Sequence, residues 1–308
     1  MGEYRWTCVT EEAAFAARDG AGALVFQDRM WLLGGWNPGD KVHFPQICNS
    51  EVWSSRDGET WTLELRQAPW EGRHTAGYAV FRDKMWIIGG DCLNGHYQND
   101  VWCTGDGVNW TRVTAAVPWG PRVLHYTAVF QDALWVMGGQ TLPQFAPAAE
   151  AFYHDVWRSE DGVRWERVLE HAPWAVRGMI GGSTVHHGRL WLLGGGTYDT
   201  PDHPDRHFYH DVWSTADGLH WTCHLAHAPW HPRQYHDVAV YDGKLWVMEG
   251  YNSGNRHDVW YSADGLAWQE VPTPWLPRHA GSAFVYQDAL WMVAGNNMTP
   301  DVWTLTRG

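Results

Sequence analysis

The 308-residue chain carries a formal net charge of −13, with 44% hydrophobic and 19% charged residues, the balance of a packed globular protein. Its negative charge excludes nonspecific attachment to nucleic acid or anionic membrane, since both reward positive surface. No apolar run reaches the roughly 18 residues of a membrane-spanning helix, and five cysteines (Cys8, Cys48, Cys92, Cys103 and Cys223) without CxxC spacing argue against a disulfide framework or a thiolate zinc site.

The first predicted element is a short strand, Tyr4 to Val9, without the basic-then-apolar pattern of a secretory leader, so a cytoplasmic location is expected. From Arg18 onward one block recurs six times at a spacing of 43 to 56 residues. An arginine (Arg18, Arg73, Arg122, Arg177, Arg233, Arg278) opens an apolar strand. A tight turn leads to a second strand with its tryptophan (Trp31, Trp86, Trp135, Trp191, Trp246, Trp291), ending in Gly-Gly or its equivalent, and a variable loop follows. The third strand reads acidic-Val-Trp (Trp53, Trp102, Trp157, Trp213, Trp260, Trp303), and an Asp-Gly turn leads to a fourth strand that opens on Trp61, Trp110, Trp165, Trp221 or Trp268. Pro-Trp loops supply Trp70, Trp119, Trp174, Trp230 and Trp275, so that, with Trp6 of the first strand counted among the fourth-strand tryptophans, only Trp36 of the 24 stands outside the pattern.

Short strands joined by Asp-Gly turns read as antiparallel hairpins. The last copy, 278–306, stops after its third strand, whereas Tyr4 to Val9, with Trp6, is a fourth strand without a blade. The phase of the repeat thus predicts a single all-β domain over residues 1–308: a six-bladed β-propeller of four antiparallel strands per blade, its last blade closed by the N-terminal strand, which removes the open sheet edges. A monomer is expected.

The doublets Gly34-Gly35, Gly89-Gly90, Gly138-Gly139 and Gly194-Gly195, with aromatics before and after them, resemble kelch repeats, the superfamily of the galactose oxidase central domain. The resemblance covers nearly the whole chain. It implies that each inner strand begins at one mouth of the channel, on the same face as the loops after the doublets, and hence a ring of Arg18, Arg73, Arg122, Arg177, Arg233 and Arg278 around that mouth. Those guanidiniums either pair with acidic neighbours between blades or, repelling one another near the axis, hold a bound carboxylate or phosphate.

Differences among the copies mark further candidates, because scaffold alone does not demand them. Glu249 stands where other copies have the first Gly of the doublet, and is either a buried proton-transfer group or an ion-pair partner of Arg233. Tyr126, Tyr235, His236 and Asp237 at the starts of inner strands are candidate acid/base groups, and His74, His125, His236 and His279 are candidate ligands for Zn, Cu or Fe. The long loops after the third and fourth doublets, carrying Phe145, Tyr198, Asp199 and His203 among others, are expected to form a lid or wall.

Kelch propellers include oxidases, sugar isomerases and binding modules, so the resemblance implies a fold rather than one activity. The stretch Glu249 to Arg256 resembles the Glu and Arg of sialic-acid mutarotases and epimerases, with the Glu displaced by one residue; Arg256 is therefore a substrate-binding candidate. Arg233-x-Tyr235-His236 resembles the Tyr-His copper ligands of galactose oxidase, but no inner strand carries a Cys and the last loop (Asn296, Asn297, Met298) no His, so a copper-radical site is not expected. No Walker, Rossmann, HExxH or nucleophile-elbow pattern occurs, and no nucleotide cofactor is expected. The expected function is binding, with isomerase- or lyase-type acid/base or metal-assisted turnover, of a small anionic or sugar-like molecule; the alternative is a non-catalytic module for an acidic peptide or metabolite.

Overall fold

The computed structural model describes residues 4–39, 47–91, 93–178 and 181–308. All regular elements among them are strands, arranged as six four-stranded antiparallel sheets, and the inner strands of successive sheets touch one another in a closed ring. The chain is a six-bladed β-propeller. Among the described residues no helix is long and apolar enough to cross a membrane.

Closure follows the predicted phase. The strand Tyr4–Thr10, one residue longer than expected, pairs antiparallel with Val302–Arg307, placing Trp6 opposite Leu305 and completing the sixth sheet. Trp6 packs on Trp275 with ring centroids 4.4 Å apart, and Tyr4 meets Trp246 at 4.9 Å.

The recurring residues lock blade to blade. Each second-strand tryptophan donates its indole N–H to the carbonyl five residues earlier, as Trp31 does to Phe26 at 2.9 Å and Trp135 to Phe130 at 2.7 Å. Its ring then covers the Asp-Gly turn of the next blade: a Cβ on Gly107 would lie 2.2 Å from Trp31, and one on Gly162 2.2 Å from Trp86. The turn also holds that glycine at φ +80° in Gly107, which L side chains adopt only under strain. Two independent constraints therefore explain why Asp-Gly recurs.

The acidic-Val-Trp strand has an equally local reason. Asp100, Asp155, Asp211, Asp258 and Asp301 each accept the indole N–H of the tryptophan two residues on, at 2.7–2.8 Å, and each also accepts its blade's arginine. In the first blade Glu51 plays this part, bound to Trp53 and Arg18 at 2.8 Å. Phe15 there stands in for the Pro-Trp tryptophan, with the Arg18 guanidinium 5.7 Å from its ring centroid.

The fourth blade differs. Its second and third strands run to eight residues each, Arg189–Gly196 and Phe208–Thr215, lifting the loop between them above the mouth.

Candidate functional site

The inner hairpin of most blades is extended past its arginine by one bridging pair, and these pairs rim the mouth. The bridges are Asp19 with Trp36, His74 with Asp91, Val123 with Gln140, Gly178 with Gly196 and Gln234 with Tyr251. The next residue turns the chain toward the axis through a left-handed conformation: Gly20, Thr75, Leu124, Tyr235 and Ala280 have φ between +50° and +63°. Those of the first, second, fifth and sixth blades line a cavity of about 370 Å³ at the mouth, of the size that takes a small metabolite.

Charged and aromatic side chains share the lining of this cavity. Trp36, Phe145, Tyr198, Tyr235 and Tyr251 line it together with Asp19, His74, Asp91 and Asn296. Trp36 stacks on the His74 imidazole, with centroids 6.3 Å apart and planes 26° from parallel. His74 Nδ1 lies 3.6 Å from Asp91 Oδ2 and 3.6 Å from Cys48 Sγ. Burial alone would lower the His74 pKa, but Asp91, Cys48 and Asp19 outweigh it and lift it to about 10, so the ring is an imidazolium. Burial raises Asp19 to about 6, against His74 and a 2.6 Å hydrogen bond donated by Asn296 Nδ2. The other oxygen of this nearly inaccessible carboxylate, Oδ1, accepts no hydrogen bond among the described residues. An orphan buried acceptor costs on the order of 1–3 kcal/mol and has a clear use if a ligand donor meets it.

Opposite Asp19, His279 donates from Nδ1 to Asn255 Oδ1 at 2.6 Å, and burial lowers its pKa to about 4, keeping it neutral. The lid forms as expected. Tyr97 donates to Ala146 O at 3.1 Å and accepts from Leu142 N at 2.8 Å, His203 binds Glu150 at 2.9 Å, and Gln140 binds the Tyr198 backbone. From the same loops Arg206 pairs with Asp199 and lies 4.0 Å over the Tyr198 ring, lining the cavity.

The arginine ring is built differently from the ligand collar that repulsion suggested. Arg18, Arg73, Arg122, Arg177, Arg233 and Arg278 are at most 1% exposed. Each binds its blade's carboxylate at 2.5–2.8 Å. Each also donates to the carbonyl of the first doublet position at 2.7–3.1 Å. Carboxylates two strands away in the same sheet already neutralise the six charges, so no ligand anion is needed to relieve their repulsion. Arg256 donates to Asn252 O at 3.1 Å on the outside of the fifth blade and does not line the cavity.

The other expected groups separate as well. Tyr126 is fully buried and donates to Gly178 O at 2.8 Å, which makes it a pin between the third and fourth blades. His236 donates from Nε2 to Leu193 O at 2.8 Å, and burial with Arg233 lowers its pKa to about 3. His125 packs beside Gly77 and Gly89, and burial with Arg122 lowers it to about 4. His74 and His279 reach the mouth while His125 and His236 lie between blades, so the four imidazoles do not converge. Among the described residues no group of three or more His, Cys, Asp or Glu is placed to hold a metal ion. Cys92 lies outside the described residues.

Asp237 lines a second cavity of about 260 Å³ deeper in the channel, and the fully buried Glu249 meets it from behind that wall. The Arg233 guanidinium binds the Glu249 backbone carbonyl at 2.7 Å, so the expected Arg233–Glu249 ion pair is not formed.

Sequence reading missed Asp19, Trp36, Asp91, Arg206, Tyr251 and Asn296. The signal was present for Trp36, the one tryptophan outside the repeat, and it extends to Asp91, Tyr251 and Asn296, which occupy the same position after the doublet in their own copies. No known protein family's profile matches the chain, and a comparison with curated proteins finds no similar one.

Proposed function

We propose that this propeller, kelch-like in its repeat, binds a small, neutral, polyhydroxylated molecule of sugar-like character in the mouth cavity and moves a proton on it. The observation that carries this reading is Asp19: a buried carboxylate with an orphan oxygen, set among aromatic rings and beside an imidazolium. A ligand hydroxyl supplies the donor that Asp19 lacks, and the C–H face of a sugar ring suits the apolar planes of Trp36 and Tyr251. The neighbouring His74 imidazolium is the proton donor. An anionic ligand fits less well, because the arginine ring is already paired and the cations near the cavity, His74 and Arg206, have carboxylate neighbours of their own.

Asp19 as base and His74 as acid make a signed prediction. Asp19 acts when ionised and His74 when protonated, so kcat/KM should rise through about pH 6 and fall through about pH 10. The first test is a thermal-shift series with neutral sugars, uronic acids and acidic peptides. Neutral sugars are expected to raise the melting temperature by several degrees at saturation, acids and peptides not to. Asp19→Asn should abolish that response while melting no lower than the parent at pH 7–8, since burial makes ionised Asp19 a cost there. Stabilisation by acidic peptides alone would point instead to a non-catalytic module, and would overturn this reading.

A further inference from the structure

The fifth blade carries two acidic departures from the repeat, and they face each other. Asp237 opens the inner strand, opposite Met248, where other copies have Gly22, Gly77, Tyr126 and Ser282; Glu249 follows Met248. Glu249 is fully buried and held at φ +50°, a conformation that glycine adopts freely and a larger side chain only under strain. Two uncommon residues in one blade, in contact, point to one shared purpose.

Among the described residues no counter-charge touches them. Glu249 Oε1 accepts the amide N–H of Gly281, in the sixth blade, at 3.0 Å. Glu249 Oε2 and Asp237 Oδ2 have no donor, yet the two carboxyl groups are within hydrogen-bonding reach of each other, a contact that bonds only when one of them carries a proton. On the fifth blade, Arg233 is bound to Asp258 and to the Glu249 carbonyl, and His236 is neutral. On the sixth, Arg278, whose charge reaches Glu249, is bound to Asp301 and Ala294 O. Across the cavity stands neutral His125, beside Thr127 and Ser183.

We infer that Asp237 and Glu249 share a single proton at neutral pH and act as a pH-operated latch between the fifth and sixth blades. With the proton present, the pair and the Gly281 amide form one closed set of hydrogen bonds across the seam. When the proton leaves, two carboxylates face each other with no unpaired cation beside them among the described residues; their repulsion pushes Glu249 off Asp237, outweighs the stronger hydrogen bond that an ionised Glu249 accepts from Gly281, and opens the seam toward the channel cavity. The latch adjoins the mouth. Tyr235 precedes His236-Asp237 and Ala280 precedes Gly281; both line the mouth cavity, and Ala280 N donates to Tyr235 O at 2.7 Å. Opening the seam therefore moves two walls of that cavity, whichever ligand it takes.

Infrared difference spectroscopy and unfolding from about pH 5 to 9 test this on the full chain. At pH 7–8, where Asp19 is ionised, the parent should show a protonated-carboxyl band that is missing in both Glu249→Gln and Asp237→Asn. Its Gly281 amide should lose about tenfold or more of its exchange protection at pH 9, beyond the intrinsic rate increase, and Glu249→Gln should not. Should Glu249→Gln fold poorly, Glu249→Gly restores the residue of four other copies and must likewise abolish the pH response. Overturning results are an unchanged carboxyl band in the variants, parallel pH profiles for parent and variants, or stabilisation of the parent but not of Glu249→Gln by sodium, potassium or calcium ions at pH 8, which would place a cation there.

Discussion

Removing residues 1–10 is expected to leave no stable monomeric propeller, although no residue of the mouth cavity is touched. The deletion takes away the fourth strand of the sixth blade and exposes the hydrogen-bonding edge of Val302–Arg307, a template for association with other chains. It also strips Tyr4 and Trp6 from the core, where they pack on Trp246, Tyr261 and Trp275. Two large aromatics burying about 150–250 Å² each are worth roughly 10 kcal/mol at about 25 cal/mol per Å², comparable with the whole stability of an ordinary domain. Size-exclusion chromatography should therefore find aggregate or expanded chain, and adding a peptide of residues 1–12 should recover some monomer. A truncated protein that stays monomeric and melts within a few degrees of the parent would contradict closure by this strand.

The second large effect is expected at the arginine ring. Arg278→Ala removes two charge-assisted bonds to Asp301, at 2.7 and 2.8 Å, and a third to Ala294 O at 2.8 Å. It leaves Asp301 largely buried without its cation. Burial alone would raise the Asp301 pKa, but the hydrogen bond and charge of Arg278 hold it below the usual range, so the lost partner matters most at neutral pH. Breaking one side of such a pair costs about 3–5 kcal/mol, or a fall in melting temperature on the order of 10 °C for a chain of this size. The linkage has a definite sign: stability contributed by a lowered carboxylate is present above its unfolded value near 4 and fades as pH falls below that. The deficit of Arg278→Ala should accordingly shrink on acidification. Pairing it with Asp301→Leu should recover part of the loss, as apolar replacements of buried ion pairs often do. If Arg278→Ala melted like the parent and only lost ligand, the arginines would be a ligand collar after all.

These two results would separate what was legible in the repeat from what was not. The copies of Trp-x-x-Gly-Gly and Asp-Gly state the strand order and the turns because each is satisfied locally, by a carbonyl five residues away or by a glycine that the neighbouring ring must cover. The odd polar residues were harder to place. Tyr126 and Tyr235 sit two positions apart in their copies and look equally functional, yet one hydroxyl is tied to Gly178 O inside the wall and the other ring faces the mouth cavity. Tyr235 is itself the left-handed residue ahead of its strand, whereas Tyr126 opens its strand two positions past the equivalent Leu124, so the turn sends one ring to the mouth and leaves the other in the wall.

Sequence alone was enough for the number of blades, their strand order and the way the ring closes, since all three follow from period and phase, and these survive any change in side-chain packing. The partner of each arginine was decided by tertiary structure. Arg18 and Glu51, 33 positions apart, meet only because the third strand lies two strands out in the same sheet. The same holds for the mouth, where Asp19, His74, Tyr235, Tyr251 and Asn296 come from four blades and no local pattern links them. Charge states came last, because Asp19 and His74 take theirs from burial and from each other, and both exist only once the ring has closed.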